Sequence, residues 1–113
     1  NRRKRKPSES KVNAQDILKS QLFAQKLLQI SRKSIGYPRR AQQLRQTGSV
    51  LASVTIDRKG NLSDVTLLNS ADYSALNKAV LKGIENAQPF PEIPDEIRGE
   101  QYSFIVPVTF ALR

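Results

Sequence analysis

The sequence predicts an α+β fold, a small two-layer sandwich with a three-stranded antiparallel sheet. Three observations carry this reading. Residues 49–56 and 101–112 alternate apolar and polar with the period of a strand. Between them Leu76, Val80, Gly83, Ile84 and Ala87 recur with the period of a helix that lies on a sheet. The turn Asp57-Arg58-Lys59-Gly60-Asn61 is too short to join its flanking strands in any but an antiparallel hairpin. The predicted order is helix–strand–strand–helix–strand over residues 37–113, preceded by an extension helix.

Composition bounds the rest. The chain has 113 residues and a formal net charge of +9. Residues 1–36 hold ten Lys/Arg and two Asp/Glu, whereas residues 37–113 hold nine and eight. The basic character therefore belongs to the extension, and the core gives no electrostatic case for binding nucleic acid. Cysteine is absent, so neither disulfides nor thiolate metal sites can form. No signal peptide and no apolar run of ~20 residues is present. With no methionine anywhere, the chain reads as a piece of a longer protein whose membrane anchor lies outside it.

Residues 1–12 form a basic linker. Its like charges repel and nothing apolar collapses, so disorder is expected. Residues 13–36 are an extension helix and its connector, helical over about 13–31. The apolar pairs Ile17/Leu18, Leu22/Phe23 and Leu27/Leu28 recur every five residues, which wraps them around the helix. Such a helix can pack on the core, pair with another chain or meet a partner, and the sequence does not choose. Ser34-Ile35-Gly36 breaks the chain before a short helix opened by Pro38, which suits a first turn. Gly48 is placed as its left-handed cap.

In the first strand Val50, Ala52, Val54 and Ile56 share one face, and Leu51, Ser53 and Thr55 the other. Gly60 suits a left-handed turn position. Residues 62–69 form the second strand, with Val65 and Leu67 on one face. Asp72 is placed to cap the second helix. Three prolines in residues 89–94 end that helix and force an extended path, which Phe90 and Ile93 can pin to the core. In the last strand Tyr102, Phe104, Val106, Val108, Phe110 and Leu112 share one face. Pro107 cannot donate to a ladder, so this strand belongs at an edge or turns Pro107 outward. A crossover after the hairpin then gives strand order 2-1-3 with both helices on one face. Val54, Leu76, Val80, Ile84, Phe104 and Val106 are the expected core.

Chemistry is nearly excluded. There is no His and no Cys, and the five glycines are dispersed. Asp95 and Glu96 are adjacent in a loop and read as a solvated acidic turn. No enzyme, metal or cofactor is expected. What remains is binding by main chain. The last strand is long, apolar on one face and uncharged, and an extended peptide can add to such an edge.

The order Tyr-Pro-x-x-Ala-x-x-Leu-Arg-x-x-Gly-x-Val from Tyr37 to Val50 resembles the C-terminal periplasmic domain of the energy transducer TonB. Pro89-Phe90-Pro91-Glu92-Ile93-Pro94 and Phe104-Ile105-Val106-Pro107-Val108-Thr109-Phe110-Ala111-Leu112 resemble the same family in the same order. The resemblance implies a periplasmic domain anchored to the inner membrane of a Gram-negative bacterium. Its partner would be a TonB-dependent outer-membrane transporter, whose TonB box adds as a strand along Tyr102, Ser103, Phe104, Ile105, Val106, Pro107 and Val108. Ser34, Ile35, Gly36, Tyr37 and Pro38 would border the site, and Arg39 and Arg40 would face acidic transporter loops. Proton-motive force would arrive from ExbB and ExbD through the missing N-terminal part, for uptake of siderophore, haem or cobalamin. The alternatives are a TolA-like periplasmic adaptor and a nucleic-acid-binding domain with a basic arm. A free edge also permits strand exchange into a homodimer.

Overall fold

The middle strand of the sheet is the one with the cleanest alternation. In the computed structural model, which describes residues 14–112, strand β1 (Gly48–Asp57) is paired on both sides. Strand β2 (Leu62–Asn69) lies along one side and strand β3 (Gln101–Phe110) along the other, both antiparallel, in the order β2-β1-β3. Val50, Ala52, Val54 and Ile56 point to the buried face, because a strand sends alternate side chains to opposite sides. The β3 register sets Val108, Val106, Phe104 and Tyr102 opposite them. The expectation of disorder in residues 1–12 lies outside the described residues.

Helices cover one face only. Helix α1 (Ala14–Ser34) buries Phe23, Leu27 and Ser31, and helix α3 (Ser74–Asn86) buries Leu76, Val80, Gly83 and Ile84. Of these, Phe23, Leu27, Leu76, Val80 and Ile84 join Phe90, Ile93, Phe104, Val106 and Phe110 in one apolar cluster. All six expected core residues are in it. Ser31 is a fully buried polar residue, and its hydroxyl donates to the Leu27 carbonyl at 2.8 Å. The α1 and α3 backbones meet at Gly83, where a Cβ would lie 2.7 Å from the Ile35 Cα and 2.8 Å from the Ser34 carbonyl oxygen.

Five local expectations are corrected. The last strand ends at Phe110, so Leu112 lies beyond it rather than on its inner face. Helix α1 runs through Ser34, so the break before the next helix starts at Ile35. The short helix α2 spans only Arg39–Gln43, and Pro38 is its N-cap rather than part of its first turn. Arg45, not Gly48, takes the left-handed position, with φ 57°. The hydrogen bonds explain why: the Gln46 N–H reaches the Ala41 carbonyl at 2.8 Å and the Arg45 N–H the Gln42 carbonyl at 3.0 Å. That pattern closes the helix at Leu44 and puts residue 45 where a glycine is usually found, three residues before Gly48 opens β1. Asp72 does not cap α3. Tyr73 is the N-cap, with no side-chain hydrogen bond. Asn77 instead reaches back to the Ala71 main chain, accepting its N–H at 2.8 Å and donating to its carbonyl at 3.0 Å.

The turn after β1 follows the expected chemistry. Asp57 Oδ1 accepts the main-chain N–H of Asn61 at 2.9 Å and of Lys59 at 3.0 Å. Gly60 has φ 90°, and a Cβ there would sit 2.0 Å from the Phe90 carbonyl oxygen. The proline segment is thereby drawn against the turn: Phe90 N–H donates to the Gly60 carbonyl and Ile93 N–H to that of Arg58, both at 3.0 Å.

Candidate functional site at the outer edge of the last strand

Among the described residues, no main-chain hydrogen bond joins β3 to anything but β1. Its other side is an open row of main-chain groups. Pro107 fixes which residues face out. It pairs with Leu51 of β1, lacks an N–H, and turns its carbonyl to the Arg32 guanidinium at 3.3 Å. Outward and inward residues alternate along an antiparallel ladder, so Ser103, Ile105 and Thr109 also face out. A proline at an inward position would break the pairing with β1. At an outward one it removes a single donor from the free edge.

Each predicted site residue can now be placed. Phe104 and Val106 are buried under the helices, and their main-chain N–H and carbonyl groups turn to β1, so neither presents a group to the free edge. Tyr102 is half-buried, its ring edge-on to Phe23 at 5.2 Å between centroids. Ser103 sits on the helix-free face, with Oγ 2.7 Å from Thr55 Oγ1. Ile105 and Pro107 are exposed, and Val108 is half-buried.

Of the flanking residues, Ser34 closes α1, and Ile35 and Tyr37 are half-buried beside the end of β3. The Tyr37 hydroxyl donates to the Gln46 carbonyl, and its ring meets Phe110 edge-on at 5.1 Å. An open pocket of about 430 Å³ there is lined by Arg32, Ile35, Tyr37 and Val108, with other residues of the end of β3. A second groove, of about 320 Å³, runs between Ser34, Gly36, Tyr37 and Pro38 on one side and Ala79, Lys82 and Gly83 on the other. Arg39 and Arg40 are exposed on α2.

Two arginines escaped the sequence reading. Arg32 lies in the last turn of α1 and reaches the β3 edge. Arg58, in the β1–β2 turn, gathers the segment before β3: its guanidinium donates to the carbonyls of Ile97 at 2.9 Å, Pro94 at 3.0 Å and Ile93 at 3.3 Å, and to that of Gly99. Arg32 belongs to no motif and Arg58 fills a variable position of the turn, so no local pattern marks either.

Electrostatics near the site is local. Lys19 of α1 bridges Glu96 at 2.6 Å. The hydrogen bond from Lys19, more than the charge itself, holds the Glu96 carboxyl below its ordinary range, and the same bond raises Lys19. The Asp57 carboxyl is held low chiefly by the Asn61 main-chain N–H. No group of His, Cys, Asp and Glu side chains that could hold a metal is found among the described residues. No helix among them is long and apolar enough to cross a membrane.

The class this geometry defines is a three-stranded, open-edged α+β domain with its helices on one face. Residues 33–112 match the family described as the Gram-negative bacterial TonB protein C-terminal, and the chain belongs to that family, which is associated with TonB-dependent transport. Solved structures agree. A solution structure of the Helicobacter pylori TonB C-terminal domain superposes with a TM-score of 0.66 at 24% identity, covering 97% of each chain. A shorter form of that domain gives 0.58 at 29% identity, covering 79% of this chain and 92% of the other. The C-terminal domain of HasB gives 0.56 at 23% identity, covering 95% and 82%. At such identities the first and third show the fold alone. No curated protein sequence matches the chain.

Proposed function

We propose that this domain binds the TonB box of an outer-membrane transporter as a strand added to the outer edge of β3. It would work in the periplasm, attached to the inner membrane by a preceding segment, and a pull driven by ExbB and ExbD would act through the paired strand. The supporting observation is the edge itself, uncharged from Gln101 to Phe110 and unpaired on its outer side among the described residues. The other sheet edge, β2, carries Asp64 and exposed polar residues, the usual protection against strand addition. Main-chain pairing supplies affinity, and the pocket beside Val108 offers selectivity. Siderophore, haem and cobalamin are the cargo classes such transporters would serve.

A short peptide must be ordered on binding, at roughly 1–2 kcal/mol per residue, so isolated affinity is expected near micromolar or weaker. The test is amide-shift mapping with a peptide from the periplasmic N-terminus of a TonB-dependent transporter. Shifts should cluster on residues 102–108, with a weaker set at residues 34–38. Shifts confined to β2 or to the basic arm would overturn the proposal.

A further inference from the structure

The binding edge has a defect at Pro107, and the structure places a side chain beside it. Ser103, Ile105 and Thr109 each present an N–H and a carbonyl outward, whereas Pro107 presents a carbonyl alone. A strand laid along this edge would bring one carbonyl against Pro107 with no main-chain donor to meet it. An acceptor left unmet in a closing interface weakens binding.

Arg32 stands at that rung. Its Nη2 donates to the Pro107 carbonyl at 3.3 Å. A guanidinium carries five N–H donors in a planar fork, so four are left for other acceptors. No carboxylate among the described residues bridges Arg32. The side chain is exposed at the lip of the pocket formed with Ile35, Tyr37 and Val108. Its base is firmly held: Leu27 and Ser31, on the same face of α1, are fully buried. The donor is therefore brought to the edge before any peptide arrives, which lowers the entropy lost on binding.

We infer that Arg32 is a surrogate rung of the β3 edge, donating one N–H to the Pro107 carbonyl and another to the carbonyl of the added strand that Pro107 cannot serve. This rests on the strand-addition reading above. It makes Arg32 a positioning residue for the bound peptide, because the guanidinium fork sets which peptide carbonyl lies opposite Pro107. It also explains how a proline is tolerated in the middle of a binding edge.

The test is a double-mutant cycle on the whole chain, with the transporter-derived peptide as probe and affinity read by amide shifts. Arg32→Ala should weaken binding roughly tenfold, the effect of one charge-assisted hydrogen bond. Pro107→Val restores the missing N–H, and in that background Arg32→Ala should cost little. The Arg32 side-chain N–H signals should also shift on peptide addition, which a merely structural role would not produce. Binding that is unchanged or tightened by Arg32→Ala, with shifts still on β3, overturns the assignment alone and, if tightened, makes Arg32 a cover over the edge. An Arg32→Ala loss that is equal in the Pro107→Val background overturns it too. A wild-type chain whose β3 amides do not respond to the peptide overturns both this assignment and the strand-addition reading.

Discussion

Arg45 holds a conformation that its side chain does not favour. At φ 57° the Cβ of an L-residue crowds its own carbonyl, and glycine avoids this. Arg45→Gly should therefore stabilise the domain by about 0.5–1 kcal/mol, the gain in the folded state being partly offset by a freer unfolded chain. For a domain of this size that is a rise of a few degrees in melting temperature, measurable by calorimetry. A fall would mean that the arginine side chain makes a contact worth more than the strain. Gly60 is the opposite case: its left-handed φ and the Phe90 carbonyl, 2.0 Å from where a Cβ would be, leave no room for any other residue. Gly60 was legible because Asp-x-x-Gly-Asn is turn chemistry. Gly48 misled because a glycine between a helix and a strand looks like a cap, while the actual cap is set by where the hydrogen bonds of residues 41–46 close.

At the scale of elements, periodicity read the strands and α3 well, since each buries a single face. α1 was harder. Its apolar pairs wrap around the helix, and only tertiary contact decides which of them are inside: Phe23 and Leu27 are, while neither Ile17 nor Leu18 is. Phe23 and Leu27 face the core at 5% and 0% exposure, while Leu18 and Leu22 stand at 53% and 54%. The structure thus answers for part of α1 what the sequence left open: this helix docks on α3 and β3, within the same chain. Leu27→Ala should cost about 2–5 kcal/mol, the range for a buried leucine that leaves a cavity. Leu22→Ala should change stability by less than about 0.5 kcal/mol. Chemical denaturation of the two variants is the check. Equal and small effects would mean that α1 is undocked in solution, and equal and large effects that Leu22 is covered by something further. The candidate edge was legible in outline because Pro107 within a long alternating strand demands an edge or an outward turn. Arg32 was not, since a helix and a strand 75 residues apart meet only in the folded chain.

At the scale of the whole molecule, one polar contact links α1 to the segment that leads into β3. Lys19 and Glu96 are 77 residues apart and bridge at 2.6 Å. Arg58 holds that same segment through four carbonyls, so the bridge joins α1 to an already fixed loop. The pH behaviour follows from the direction of both shifts. Glu96 is depressed, so its contribution is present above the ordinary glutamate range and is lost as pH falls through the lowered value. Lys19 is raised, so its contribution is present below the ordinary lysine range and is lost as pH rises through the raised value. Between these limits the bridge is intact, and both groups are exposed, so salt should screen it. Glu96→Gln should accordingly lower the melting temperature slightly at neutral pH and low salt. The gap from the wild type should narrow in high salt and close in acid, where Glu96 of the wild type is itself protonated. Hydrogen exchange should rise in the first half of α1, where Lys19 sits and where Ile17, Leu18 and Leu22 contribute little burial. A gap that persists in acid would assign the effect to packing around residue 96, and unchanged exchange in α1 would show that Phe23 and Leu27 hold the helix without the bridge.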